Sequence, residues 1–396
     1  MKICDLTQFY SPVSGGVKRY LAEKIAFQSR HRPADRHLLI VPGERDHVVR
    51  EAACATYEIQ SPLISRQSRY RFLHRMDAVR DILAKERPSL IEASDPYQMA
   101  WNCLAAGDEL GVPVVAFYHS HFPEAYVRSA MKFFGEPITK LCLDFCQGYI
   151  YELYNRFART IVPSEGLADV LRGWGVRNVV VNELGVDTST FFPGTESKEM
   201  LRRRLELPEG RMLLLYVGRL AQEKNTRTLF EAFRLLQKRE PGRFALGVVG
   251  DGQQRNDVRD LLAHPEEFRW IDYCADSQKL ADYYRAADIF VHPGVQETFG
   301  LVTLESQACG TPVVGIRGSY MDRIIFNDME HWANDNNPAA LAAAIVRMTR
   351  KDLVELGAEA AKRAKQRYAW DRIFERLYGV YEEVVQEYRP GAAGHW

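Results

Sequence analysis

The feature that most constrains the fold is a regular alternation of short apolar runs with longer segments of helical periodicity. In the first half of the chain the short runs, which predict buried strands, are residues 2–6, 38–41, 90–93, 114–118 and 160–162. Residues 17–29 and 70–85 are examples of the longer segments and predict helices. An alternation of strands and helices is typical of a parallel sheet covered on both faces.

The same alternation begins again in the second half. Its predicted strands are residues 212–217, 244–249, 289–292 and 312–316, and its helical patterns are residues 226–237, 280–287, 301–309, 338–368 and 372–387. Residues 182–193 form a turn-rich joint between the two patterns. We therefore predict an α/β protein with two Rossmann-like, doubly wound domains that face each other across a central cleft.

Composition and charge exclude several classes of protein. The chain has 52 Lys and Arg against 52 Asp and Glu, and a neutral chain lacks the positive field that a general nucleic-acid binder needs. The first apolar stretch already contains Asp5, which argues against a secretory signal, and no apolar run is long enough to span a bilayer. The seven cysteines include no C-x-x-C pair and fit a reducing cytoplasm.

The strongest candidate motif is ETFGLVTLESQACGTPVV, residues 297–314. Parallel sheets bind ligands beyond the carboxyl ends of their strands, and this segment follows a predicted strand. Glu297 lies in the loop before a predicted helix, whereas Glu305 lies inside it. Two glutamates at this spacing are usually solvated or capping residues, but the FG and ACGTPVV around them favour a site that accepts hydrogen bonds from sugar hydroxyls.

The start of that helix is a candidate anion site. The backbone N–H groups of Phe299, Gly300 and Leu301 have no partner within the helix and would point at a ligand. Gly300 would allow the ligand to approach the backbone closely.

A second motif is VGRLAQEKN, residues 217–225, which also follows a predicted strand. After a turn at Gly218, Arg219 and Lys224 could hold a diphosphate and stabilise charge on a leaving group. The alternative is an ordinary surface loop that leads into the next helix.

Two weaker motifs follow strands of the first half. Gly15 and Gly16 precede a helix and could cradle a phosphate, although most Gly-Gly pairs are plain turns. They match neither the dinucleotide nor the Walker pattern, which argues against an NAD or ATP site. His119 and His121 lie in one loop, where a metal site would lack further ligands and a polar role beside a reacting sugar is preferred.

These four motifs, in this order, resemble the retaining nucleotide-sugar glycosyltransferases of family 4 (glycosyl transferases group 1), which have the GT-B fold. GVDTSTFFP, residues 185–193, is similar to the interdomain signature of that family, and residues 368–381 resemble its last helix. The resemblance implies an acceptor-side domain of residues 1–182, joined by a final helix within residues 372–396 that crosses back to it. Residues 183–371 would form the donor-binding domain.

The resemblance also implies roles for individual residues. Catalytic roles fall on His119, Arg219, Lys224 and Glu297; donor contacts fall on Gly15, Gly16, Gly218, Gly250, Asp251, Tyr273, Cys274, Thr298, Phe299, Gly300, Leu301 and Glu305; Lys18, His121 and Tyr126 lie on the acceptor side. Arg219 and Lys224 would contact the donor diphosphate, Glu297 the transferred sugar and Glu305 the ribose. The sequence departs from the family at residues 271–276, where many relatives have a glycine-containing turn, and this leaves the base open.

The implied reaction is transfer of a hexose, of the mannose or glucose type, with retention at the anomeric carbon. The donor would be a GDP- or UDP-linked sugar acting as co-substrate, without a cofactor or a required metal. No carboxylate matches a dedicated nucleophile, so we expect transfer on one face of the sugar, with the leaving diphosphate assisting deprotonation of the acceptor.

The acceptor would be a lipid or a glycan. Residues 65–80 and 127–139 mix arginine or lysine with aromatic side chains, and such a surface could dock on anionic lipids at the inner face of a membrane. Solvated helices with a buried stripe would have the same pattern. Two other functions remain open for the whole chain: a nucleotide-sugar epimerase of related fold, and a non-catalytic GT-B module that binds glycans or partner proteins.

Overall fold

A computed structural model describes residues 1–8, 10, 16–51, 53–64, 69–119, 121, 123, 135–295, 299–319, 321 and 324–388. The chain divides into two compact units. The first comprises Met1–Leu184 together with Trp370–Trp396, and the second comprises Gly185–Ala369.

The first unit is built on an eight-stranded sheet. Its strands are β1 (Lys2–Leu6), β2 (Arg36–Gly43), β3 (His47–Arg50), β4 (Cys54–Gln60), β5 (Leu90–Ala93), β6 (Val114–Phe117), β7 (Thr160–Val162) and β8 (Val179–Val181). Their order across the sheet is β3-β4-β2-β1-β5-β6-β7-β8. All neighbours pair in parallel except β3, an edge strand that runs antiparallel to β4 and departs from the purely parallel sheet that the sequence predicts.

Helices cover both faces of this sheet. They are α1 (Gly16–His31), α2 (Met76–Glu86), α3 (Gln98–Leu110), α4 (Glu136–Tyr154), α5 (Glu165–Gly173) and α12 (Trp370–Glu387). Helices α2 to α5 contribute to one apolar core, whereas α1 packs against α12 on the opposite face. The last helix of the chain therefore belongs to the first unit.

A buried ionic cluster fastens α12 to the first unit. The Lys24 ammonium lies 2.7 Å from an Asp5 oxygen and 3.4 Å from a Glu92 oxygen, and the Tyr20 and Tyr381 hydroxyls both donate to Glu92. Burial works against ionisation of Asp5, but Lys24 and a neighbouring histidine hold the pKa of its carboxyl well below the usual range. Burial raises the pKa of Glu92 to about 7, although Lys24 opposes the shift. Since Tyr381 lies on α12, the cluster links the end of the chain to its first strand.

The second unit contains a five-stranded parallel sheet. Its strands are β9 (Met212–Val217), β10 (Phe244–Val249), β11 (Phe268–Ile271), β12 (Ile289–Val291) and β13 (Val313–Val314), in the order β11-β10-β9-β12-β13. Its helices are α6 (Lys198–Arg204), α7 (Thr226–Arg239), α8 (Ser277–Ala286), α9 (Leu301–Ala308), α10 (Pro338–Met348) and α11 (Leu353–Tyr368). The core between the sheet and these helices is apolar.

The structure confirms the predicted fold class and corrects one predicted helix. Residues 70–85 do not form one helix: α2 begins only at Met76. Arg69 has a left-handed φ of 52°, and Arg71 forms a β-bridge with Leu63. The backbone of these two residues is therefore not helical. Among the described residues, no helix is long and apolar enough to cross a membrane.

Candidate active site

The candidate site of the second unit lies where strands β9, β10 and β12 end. These strands are neighbours and run parallel, so the loops that follow them emerge at one edge of the sheet. They comprise residues 218–225, 250–254 and 292–295. Two of the sequence motifs therefore begin beside each other.

The loop after β9 carries the two predicted cations. Lys224 ends a 3₁₀ turn, Gln222–Lys224, and one residue separates this turn from the start of α7. A guanidinium nitrogen of Arg219 lies 3.0 Å from a Glu223 oxygen, while 66% of the Arg219 side chain is exposed. An exposed ion pair contributes only about 0–1 kcal/mol, so Arg219 can exchange this partner for a more highly charged anion at little cost.

The glycines of these loops are explained by backbone packing. Gly250 has a φ of 135°, and a Cβ atom placed on it would lie 2.1 Å from the carbonyl oxygen of Gly218. The Gly218 N–H in turn donates to the Val249 carbonyl at 3.0 Å. Gly218 and Gly250 therefore keep the loops after β9 and β10 in contact, and this packing alone accounts for both glycines.

The first turn of α9 has the form of an anion site. Gly300, at its N-cap, has φ 80° and ψ 60° and has no side chain to cap the free N–H groups that follow. Phe299 is buried, with its ring centroid 6.2 Å from that of Tyr368, which anchors the start of the helix. The N-terminal end of α9 thus combines backbone N–H groups that no bond within the helix uses with the positive end of the helix dipole.

Glu305 is buried in α9 and hydrogen-bonded to a residue that sequence reasoning missed. It is only 2% exposed, and its Oε2 accepts a hydrogen bond from the Tyr284 hydroxyl at 3.0 Å. Tyr284 belongs to α8 and packs edge-on against Phe191 and Phe290. A tyrosine in an otherwise apolar helical stripe gave no signal of this contact, because the pairing joins residues from two separate helices.

The remaining donor-side positions follow β10 and β11. Asp251 is exposed and accepts the Gly252 N–H at 2.7 Å. Tyr273 is exposed, and the Cys274 thiol lies 3.3 Å from the Asp276 carbonyl oxygen within its own loop. Of these two neighbours, Tyr273 is the more accessible to solvent.

In the first unit, His119 follows β6. Its ring stacks on Phe117 with centroids 4.1 Å apart and meets Tyr20 edge-on at 5.1 Å. Burial lowers the pKa of His119 to about 3, despite the opposing effect of Asp5. The imidazole is therefore neutral near pH 7 and can share a hydrogen bond without carrying charge.

The other predicted residues of the first unit have different surroundings. His121 is buried, stacks on Trp174, and has its Nδ1 3.1 Å from the Tyr118 hydroxyl. Gly16 begins α1, and Lys18 in its first turn lies 5.9 Å from the Tyr10 ring centroid. Gly15, Tyr126, Glu297 and Thr298 lie outside the described residues.

Asp95 is a second residue that sequence reasoning missed. It follows β5, between the loops after β1 and β6, and accepts the backbone N–H of Gln8. Burial raises the pKa of Asp95 to about 7, although the bonds from Gln8 and Thr7 favour the ionised form. The Ser-Asp-Pro sequence after a predicted strand was a possible signal, but a turn would have the same sequence.

Comparison with known proteins identifies the family of the chain. The family models for glycosyl transferases group 1 and for Glycosyltransferase Family 4 match residues 197–367 and 14–190. A GDP-mannose-dependent alpha-(1-6)-phosphatidylinositol dimannoside mannosyltransferase of Mycobacterium tuberculosis is 32% identical over 358 residues, which cover 87% of each chain. A sulfoquinovosyl transferase of Arabidopsis thaliana is 28% identical over 73% of this chain, and the match spans 55% of that protein.

Solved structures show the same fold. Sucrose-phosphate synthase from Thermosynechococcus elongatus aligns with a TM-score of 0.77 at 20% identity, covering 97% of this chain and 99% of that one. The Anabaena protein HepE in complex with UDP-glucose aligns with a TM-score of 0.71 at 18% identity, covering 97% and 100%. The fold is that of the GT-B glycosyltransferases. The chain belongs to glycosyltransferase family 4, the glycosyl transferases of group 1, which confirms the family that the four motifs indicate.

Proposed function

We propose that this protein is a retaining glycosyltransferase that moves a hexose from a nucleotide-diphosphate sugar to a lipid or glycan acceptor. The observation that carries the proposal is the convergence of the Arg219–Lys224 loop with the loop that leads to α9 at one edge of one sheet. A cationic loop and a helix N-terminus suit a diphosphate.

The donor is a mannose- or glucose-type hexose linked to GDP or UDP. Support comes from the mycobacterial relative, whose name specifies GDP-mannose, and from HepE, which was solved with UDP-glucose. Arg219 and Lys224 would hold the diphosphate, Glu297 the sugar and Glu305 the ribose. Because these cations can neutralise the leaving group, activity should survive chelation of divalent metal by EDTA.

The experiment that tests the donor assignment is a thermal-shift panel of GDP, UDP, ADP, TDP and their hexose conjugates. A ligand that binds only the folded protein raises its stability by mass action. We expect a shift with one base series, and a loss of that shift in Glu305→Ala. Free sugar or an epimer as the product would favour an epimerase, whereas no shift with any nucleotide would favour a non-catalytic module.

The acceptor is proposed to be presented at a lipid surface. On α4, Ile138, Leu141 and Phe145 recur at helical spacing, and the last two are 69% and 76% exposed. The basic stretch that suggested lipid docking is partly neutralised, since Arg71 and Arg75 form ion pairs with Glu44 and Asp46. Apolar insertion by α4 is therefore better supported than charge attraction alone.

Vesicle sedimentation tests this surface. Leu141→Gln with Phe145→Gln should abolish binding to anionic phospholipid vesicles, whereas a matched pair on the same helix, Lys140→Glu with Asp144→Lys, likewise keeps the net charge and should bind. Equal binding by both variants would refute the docking surface without affecting the donor site.

A further inference from the structure

Asn225 has an unusual conformation next to Lys224. It occupies the N-cap position of α7 with φ 57° and ψ 32°, in the left-handed region. Residues with a side chain rarely adopt this region, and asparagine tolerates it better than most.

The Asn225 side chain does not perform the usual task of its position. An N-cap asparagine normally accepts a backbone N–H from the first turn of its helix, but here no side-chain cap is formed. Its Nδ2 instead donates to the Pro293 carbonyl at 2.8 Å and to the Asn336 Oδ1 at 2.7 Å. Its Oδ1 accepts the Thr228 hydroxyl at 2.8 Å. Both hydrogens of the amide and its oxygen are therefore used.

These bonds join the loops that contain the two main motifs. Asn225 directly follows Lys224, and Pro293 lies in the loop after β12 that continues towards Glu297 and α9. Strands β9 and β12 are already paired, so the amide adds a link beyond the point where the sheet ends.

We propose that Asn225 is a positioning residue, which sets the Lys224 ammonium relative to the start of α9 so that both can hold one diphosphate. The inference rests on the proposed donor site. Errors of about 1 Å in the placement of charged groups can cost large factors in rate or affinity, so a fixed spacing between the two loops matters for the diphosphate. A nucleoside monophosphate, which lacks the outer phosphate, should depend on it much less.

The test compares nucleotide affinities by calorimetry in wild type and Asn225→Gly. Glycine keeps the left-handed backbone without strain and removes only the amide. With GDP and GMP, and with UDP and UMP, we expect Asn225→Gly to weaken diphosphate binding by about tenfold and to leave monophosphate binding within about twofold. In a Lys224→Ala background the tenfold loss should disappear, because residues that act as a unit are non-additive.

Asn337→Gly is the matched control. Asn337 caps α10 in the same unit by accepting the Ala340 N–H at 2.8 Å, and among the described residues its side chain does not bond to either loop of the site. Its loss should therefore lower stability without changing the spacing between the two loops. Its diphosphate-to-monophosphate ratio should equal that of wild type.

The possible failures are distinguishable. If Asn225→Gly leaves the ratio of diphosphate to monophosphate affinity unchanged, or weakens binding of both nucleotides equally, the positioning role is refuted. The donor site itself still stands in that case, provided that Lys224→Ala lowers diphosphate affinity. If Lys224→Ala has no effect, or if wild type binds none of the four nucleotides, the donor site itself is wrong and the inference falls with it.

Discussion

Replacement of Tyr284 by phenylalanine isolates one hydrogen bond to a buried carboxylate. The hydroxyl donates to Glu305 at 3.0 Å, and Glu305 is 2% exposed, so water cannot readily replace the lost donor. Hydrogen bonds to charged groups contribute about 1.5–3 kcal/mol, and we expect Tyr284→Phe to destabilise the second unit by about 2 kcal/mol. For a unit of the size of Gly185–Ala369 this corresponds to a fall of about 4–8 °C in the Tm.

Differential scanning calorimetry measures this change, and added nucleotide identifies the transition of the second unit by raising it. Tyr283→Phe is the matched control, because Tyr283 is a buried neighbour on the same helix with no hydroxyl partner in the part of the chain that the structure describes. In a Glu305→Gln background the cost of Tyr284→Phe should fall below about 1 kcal/mol, since the hydroxyl then donates to a neutral amide instead of a carboxylate. A change of less than 1 °C in Tyr284→Phe, or an equal change in Tyr283→Phe, would contradict the reasoning.

Three further predictions concern the remaining parts of the site. Arg219→Ala should lower kcat by about 10²- to 10³-fold while circular dichroism remains native; normal turnover would remove Arg219 from the site. Gly250→Ala should lower the free energy of unfolding, measured by chemical denaturation, by at least about 2 kcal/mol, since its Cβ would lie 2.1 Å from the Gly218 oxygen. Gly148→Ala, in open space on α4, is the control and should raise the free energy of unfolding by about 0.5–1 kcal/mol. The raised pKa of Asp95 means that the contribution of this residue to stability falls as the pH rises from about 4 through 7. The Tm of Asp95→Asn should therefore gain on that of wild type over this range, and Tm–pH profiles of identical shape would argue against the shift.

The sequence indicated the fold well where local patterns are strong. The runs that became β1, β5, β9 and β10 were predicted with their observed bounds, because each is a short, mostly buried run in which apolar residues predominate. Strand β4 was missed, since Cys54–Gln60 mixes buried and partly exposed positions and includes polar residues. Its place in the sheet depends on pairing with β2 and β3, which no local pattern contains.

The candidate site divides in the same way. Arg219, Lys224, Gly300 and Glu305 were found from residue type and spacing along short segments, and their roles in binding stay predictions. The contacts that support them were not found: Tyr284 lies 21 positions before Glu305 and on another helix. Such pairs leave no periodic trace, because their spacing along the chain has no relation to their distance in space.

What the sequence determined by itself was therefore the class of fold, the family, and the short motifs that follow strands. These depend on local hydrophobic periodicity and on residues close together in the chain. Only the tertiary structure decided that the Asn225 amide crosses to the Pro293 loop, that Tyr284 holds Glu305, and that burial shifts the pKa of Asp95. The physical reason is that hydrogen-bond geometry and desolvation depend on which surfaces pack together, and packing joins segments that are far apart in the chain.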